Sequence, residues 1–213
     1  MDRRELLKMI AVVTGGAFIG GEFFLSGCKN PEAGVSMAFT PDDIAYLDEI
    51  AETILPKTNT PGAKDAKVGT HMTVMVNDCY TENDQKTFHE GMKKLNDASK
   101  AMNNKSFMDS SPEQRKNLLI SLDKEAKEYA GKKNDFDSEQ IKKEKDEHDK
   151  GNTGYKREQM SAHYFSMMKQ LTIAGFFTSK EGKTGALRYT PVPGKYDGNL
   201  DYKKGDKMFT GLS

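Results

Sequence analysis

The chain has 213 residues, with 32 Lys plus Arg against 32 Asp plus Glu, and this zero formal charge argues against a nucleic-acid binder, whose surface is normally basic. Hydrophobic residues make up 36% and charged residues 30%, with no Trp and 12 Met, which fits one modest, charge-coated globular domain. Two cysteines cannot frame a disulfide-dense scaffold, and the sequence holds neither paired Cys-x-x-Cys motifs for zinc or an iron–sulfur cluster nor Cys-x-x-Cys-His for covalent haem.

In chain order, Arg3-Arg4-Glu5-Leu6-Leu7-Lys8 precedes an apolar, glycine-rich run from Met9 to Leu25. The run is too short and too interrupted by glycine and Glu22 for a spanning helix of roughly 20 residues, so it reads as an export signal rather than an anchor. Arg3, Arg4, Leu6, Leu7 and Lys8 resemble the twin-arginine signal, although Asp2 stands where that pattern has Ser or Thr. Leu25-Ser26-Gly27-Cys28 resembles a lipobox, which implies lipidation of Cys28 and cleavage before it. The reading divides the chain into a signal at 1–27, a lipid-anchored tether at 28–38 and a domain at 39–213. Such a protein is exported and held at the cell membrane or outer membrane, on the periplasmic side or the surface.

Thr40-Pro41-Asp42-Asp43 opens the first helix with a hydroxyl cap, a proline at the first position and carboxylates facing the helix dipole. Ile44, Leu47, Ile50, Ala51 and Ile54 form its apolar stripe, Pro56 stops it, and Thr58 to Gly62 make a turn. Val68, Met72, Met75 or Val76, and Cys79 recur at helical spacing, which predicts a second helix with Cys79 buried. Phe88, Met92, Leu95 and Met102 mark a third, and Ser111-Pro112-Glu113-Gln114 caps a fourth that buries Leu118, Leu119, Leu122 and Ala126. The segment at about 130–156 is a charged insertion that cannot build a core and suits a solvated helix or a mobile loop. Met160, Tyr164, Met167, Met168 and Leu171 predict a fifth helix. The expected fold is therefore all-α, a small bundle of about five helices over 39–175 followed by an irregular Gly/Pro/aromatic tail. In that tail, Phe176, Phe177, Tyr189 and Tyr196 either plug the open end of the bundle or offer contact area to another protein.

Several motifs carry a resemblance to subunit 3, the small or gamma subunit, of gluconate 2-dehydrogenase and related membrane-associated flavin dehydrogenases. Phe39-Thr40-Pro41 leading to Ala51-Glu52-Thr53-Ile54-Leu55-Pro56 is similar to that family's opening helix, and Thr60-Pro61-Gly62-Ala63 to the turn after it. Leu171-Thr172, Gly175 to Ser179, Gly182 and Tyr189-Thr190-Pro191-Val192-Pro193-Gly194 resemble its C-terminal signature. The resemblance implies an accessory subunit that serves the folding, export and membrane anchoring of a large FAD-dependent partner of the glucose-methanol-choline type, in some relatives with a cytochrome c subunit carrying haem c. It also suggests a partner interface at Phe176, Phe177, Thr178, Ser179, Tyr189, Pro191, Pro193, Gly194 and Tyr196.

No catalytic residue, cofactor or metal is assigned to this chain itself. It lacks a Gly-x-Gly-x-x-Gly phosphate loop, and His71, His89, His148 and His163 are scattered, with no His or Cys at ligand spacing. His71 and His163, on predicted helices beside apolar stripes, are the first to examine for a proton relay or axial ligand. The alternative reading is a lipid-anchored binding or scaffold protein with another partner.

Overall fold

The computed structural model describes residues 38–192, 194, 198–199 and 201–210. Among them are five α-helices: α1 (Pro41–Ile54), α2 (Val68–Cys79), α3 (Glu82–Asn103), α4 (Pro112–Asp149) and α5 (Tyr164–Thr178). A π-helical turn (Gly182–Ala186) follows, then two short strands, β1 (Arg188–Tyr189) and β2 (Phe209–Thr210), paired in parallel. The protein is the small all-α bundle that the periodicity predicts.

Local chemistry starts every helix but α2. Thr40 and Asp43 close a reciprocal capping box on α1, and Ser111 and Gln114 do the same for α4, each with proline at the first turn. On α3, the Thr81 hydroxyl accepts from the backbone of Asp84. The cap position of α2 is Lys67, in left-handed conformation at φ 52° and with no side-chain cap of its own. The missing acceptor comes from α1, where Asp48 Oδ1 takes the Gly69 N–H at 2.7 Å. Burial pushes the Asp48 carboxyl up from its ordinary range, and this hydrogen bond opposes the shift.

The core joins Leu47, Ile50 and Ala51 of α1, Val68, Met72 and Val76 of α2, Phe88 and Leu95 of α3, and Leu118 and Leu122 of α4. Helix α5 lies at its centre and touches the other four helices. Tyr164, Phe165, Met167, Met168, Leu171, Thr172 and Phe176 are buried on one face of α5, while Gln170, Ile173, Ala174 and Phe177 are exposed on the other. Close packing of that face needs small residues where backbones meet. A Cβ on Gly91 of α3 would lie 2.3 Å from Tyr164 Cβ, and one on Gly175 of α5 would lie 2.6 Å from His71 Cδ2 of α2.

Two expectations are corrected, at Cys79 and at Gly175. Cys79 is exposed rather than buried, because α2 ends there and the half-buried Tyr80 packs against the core in its place. Met102 lies within α3 as expected, 53% exposed in its last turn and beyond the reach of the core. The helical pattern does not break at Gly175: α5 runs on to Thr178, with the glycine serving the close contact with His71. Through Asp149 the charged segment is a mostly exposed helix, the solvated one of the two alternatives, and continues α4, whose 38 residues span about 57 Å at 1.5 Å per residue.

Beyond Asp149 the chain turns at Gly151, φ 91°, and runs back along α4. Tyr155 O lies 3.4 Å from His148 Nε2, Arg157 pairs with Glu144 at 3.8 Å, and Tyr129 Oη donates to Ser161 O at 3.1 Å. Lys133, Phe136, Asp137, Gln140, Glu144 and Glu147 share the less exposed stripe of this arm, and Gln140 is buried. Apart from Phe136 its seam is thus polar, unlike the apolar core of the bundle.

Candidate functional site

Segments far apart in sequence meet at the end of the bundle where α1 and α5 stop. The turn after α1 is held from inside by one carboxylate. Glu52 Oε1 accepts from Lys57 N and Glu52 Oε2 from Lys64 N, both at 2.8 Å, so a single side chain bridges the two sides of the loop. Asp65 adds a bond from Gly62 N at 3.2 Å and an ion pair with Lys57 at 3.0 Å. Hydrogen bonding from Lys57 and from Gly62 holds the Asp65 carboxyl below the usual range. The neighbouring Glu49 pairs with Lys64 and with Arg115, whose Nε donates to Phe107 O at 2.9 Å. Asp48, Glu49, Glu52 and Asp65 thus all serve the connection between α1 and α2. Sequence reasoning named Glu52 only within the opening-helix motif and did not single out the other three.

At the end of α5, Ser179 does comparable work. Its hydroxyl donates to Phe176 O at 2.6 Å and accepts from Gly182 N at 2.9 Å, joining the last turn of the helix to the π-turn. A Cβ on Gly182 would fall 2.0 Å from Phe176 O, so the winding requires glycine there. The π-turn then meets the first loop, since a Cβ on Gly185 would be 2.6 Å from the Pro61 ring. Beyond it, Arg188 lies over the Phe209 ring at 4.4 Å, and Arg188 N and Thr190 N donate to Met208 O and Thr210 O. The Thr60-Pro61-Gly62-Ala63 turn and the Gly175-to-Tyr189 segment thus form one surface.

The residues expected at a partner interface divide on that surface. Phe176 is 3% exposed and belongs to the core, its ring 5.1 Å from that of Phe177 in an edge-on contact. Phe177 is 37% and Tyr189 40% exposed. Thr178 is exposed and returns its hydroxyl to Ala174 O at 2.6 Å, whereas Ser179 is spent on the joint just described. Pro191 and Gly194 are exposed, with Gly194 at φ 74°. Pro193 and Tyr196 lie outside the described residues, as do Arg3, Arg4, Leu6, Leu7, Lys8 and Cys28. Exposed Val192, Tyr202, Met208 and Phe209 add apolar area that sequence reasoning did not single out.

The histidines serve packing and capping. His71 sits against Gly175, and His89 stacks on Phe39 with ring centroids 4.2 Å apart. His163 caps α5 by accepting from Phe165 N at 3.3 Å, and its Nε2 faces Glu125 at 3.5 Å. Burial holds the His163 imidazole below its ordinary range, with Glu125 opposing. Among the described residues no three His, Cys, Asp or Glu side chains gather into a metal-holding group, and no helix is long and apolar enough to cross a membrane. A cleft of about 560 Å³ opens between the start of α3 and residues 159–162. Much of its polar lining is committed to structure: Asp84 to Thr81, Asn83 to Ser161 and Lys133 to Asp137.

No curated protein and no solved structure matches the chain. The model of the family described as gluconate 2-dehydrogenase subunit 3 matches residues 41–194, from the first residue of α1 through both halves of the surface joined at Pro61 and Gly185. The chain belongs to the gluconate 2-dehydrogenase subunit 3 family.

Proposed function

We propose that this chain is the accessory subunit of an exported, membrane-associated dehydrogenase and that the FAD-dependent catalytic subunit docks on the end of the bundle. The observation that carries this reading is the convergence of the 60–63 turn and the 175–191 segment on one surface, with Phe177, Tyr189 and Val192 exposed on it. Aromatic side chains held by rigid turns provide large contact area at small entropic cost, and burying one in an interface is typically worth about 2 kcal/mol or more. Glu52, Ser179 and the three close-packed glycines act as positioning residues for that surface.

The signal fits the same role. A twin-arginine route carries folded cargo, so a signal on this chain would export a catalytic subunit that has already loaded FAD, and Cys28 would then hold the pair at the membrane. The partner's flavin would perform the sugar or sugar-acid oxidation, and a cytochrome c subunit could take the electrons. The reading is tested by changing Phe177 and Tyr189 to Ala together, verifying helicity, and measuring flavin-dependent dehydrogenase activity in the exported fraction. Loss of exported activity with cytoplasmic retention of the catalytic subunit is expected. Normal export of active enzyme from cells lacking this chain would refute the escort role. Cys28→Ser should abolish lipid labelling and release the protein from the membrane; unchanged membrane attachment would refute the anchor.

A further inference from the structure

A second surface lies on the side of the bundle where α1, α4 and α5 meet, and it differs in chemistry from the rest of the molecule. It is a groove of about 330 Å³. Its floor is apolar, with Leu119 and Phe165 buried beneath and Ile54 and Ile120 at the opening, Ile120 being 47% exposed. Its rim is basic: Lys116, Lys124 and Lys127 lie along one face of α4, and Lys169 of α5 stands beside them. The one acid in the groove, Asp123, accepts from Lys169 at 2.5 Å and pairs with Lys127 at 2.9 Å. Lys116 and Lys124 are exposed and make no ion pair among the described residues. In a chain whose charges balance, four lysines against one aspartate around exposed isoleucine is a local excess, of which Lys116 and Lys124 enter no ion pair among the described residues.

Resting on the accessory-subunit reading, we infer that this basic-rimmed groove is a second docking site on the same FAD-dependent partner. It would take an acidic segment carrying an aliphatic or aromatic anchor flanked by Asp or Glu. The volume is at the small end of the ~300–1,000 Å³ typical of ligand clefts, which suits one or two anchoring side chains rather than a cofactor. Lysine stems extend the apolar walls while their ammonium groups reach the flanking carboxylates. Concavity separates this occupant from a bilayer, since a flat headgroup surface cannot fill the groove over Ile120. Rim charges of this kind act mainly on association rate and its salt dependence, while the buried anchor acts on dissociation.

The complex is purified through a tag on the full chain, and the subunit that co-elutes with FAD absorbance serves as the probe for binding kinetics at low and high salt. Lys116→Glu with Lys124→Glu should slow association at low salt about tenfold and flatten the salt dependence, while Ile120→Asn should speed dissociation about tenfold. All three positions are exposed, so circular dichroism should show an unaltered fold. Unchanged kinetics in these variants, with binding still lost on changing Phe177 and Tyr189, would overturn this inference and leave the docking reading intact. Failure of the wild-type chain to retain any flavoprotein would overturn both. Unchanged flavoprotein binding with loss of binding to vesicles of phosphatidylcholine and phosphatidylglycerol would make the groove a membrane contact and likewise overturn the inference.

Discussion

Replacing Gly62 by Ala tests whether a single carboxylate holds the loop that presents Pro61. The added Cβ would fall 2.4 and 2.5 Å from the two Glu52 oxygens and 2.7 Å from Lys57 N, inside the space where the bonds to the loop are made. Gly62 is not in the left-handed region, so crowding and not dihedral strain sets the cost. The carboxylate must leave, and with it go the bonds from Lys57 N and Lys64 N. Both are solvent-accessible, so each loss costs about 1 kcal/mol, and the stiffer unfolded chain returns about 0.4–1 kcal/mol. The net loss of about 1–2 kcal/mol should lower Tm by about 2–8 °C for a domain of this size. Glu52→Ala removes the same two bonds, so the double variant should melt above the temperature that adding the two single effects predicts. Calorimetric melts of the four proteins give the answer. Strict additivity, or a rise in Tm for Gly62→Ala, would refute the latch.

Gly91→Ala gains about 1 kcal/mol of helix propensity but forces a methyl group into Tyr164, at about 1–3 kcal/mol, so denaturant unfolding should show a net destabilisation; an increase in stability would mean that α3 and α5 do not close there. His163 is held below its ordinary pKa of 6.5 chiefly by burial, so the unfolded chain takes up the proton more readily. Its share of stability is intact above about pH 6.5 and is lost as pH falls from there toward the folded value; His163→Asn, which can still cap α5, should flatten that part of the Tm–pH curve relative to wild type. Cys79 should react with a thiol reagent in the native protein, as peptide mapping would show, and protection until denaturation would restore the buried reading.

The bundle was legible because its helices show a core on one face, and α1 and α4 open with capping boxes that mean the same thing in any context. The error at Cys79 fell where a helix outruns the core: periodicity continues along a helix whether or not anything lies above it. Gly175 misled for a different reason, since glycine marks a turn in most sequences but here lets two helices touch. The candidate surface was half legible. Its aromatics could be named, but the partners of Glu52 and Ser179 are backbone N–H and C=O groups of loops, which leave no mark in composition. The arm stayed ambiguous because its seam is built from Lys133, Asp137, Gln140 and Glu144, which read as solvated residues.

That polar seam gives the arm a stability of its own. Apolar burial makes a domain melt as one unit, and the outer half of α4 has little of it. What it has instead is ion pairs and hydrogen bonds open to water, each contributing little. Amides between Gly131 and Tyr155 should therefore exchange with solvent deuterium through sub-global opening while those of α5 wait for complete unfolding. A protease cutting at the Gly151–Gly154 turn would nick the chain yet leave the five-helix core and its Pro61–Gly185 joint assembled.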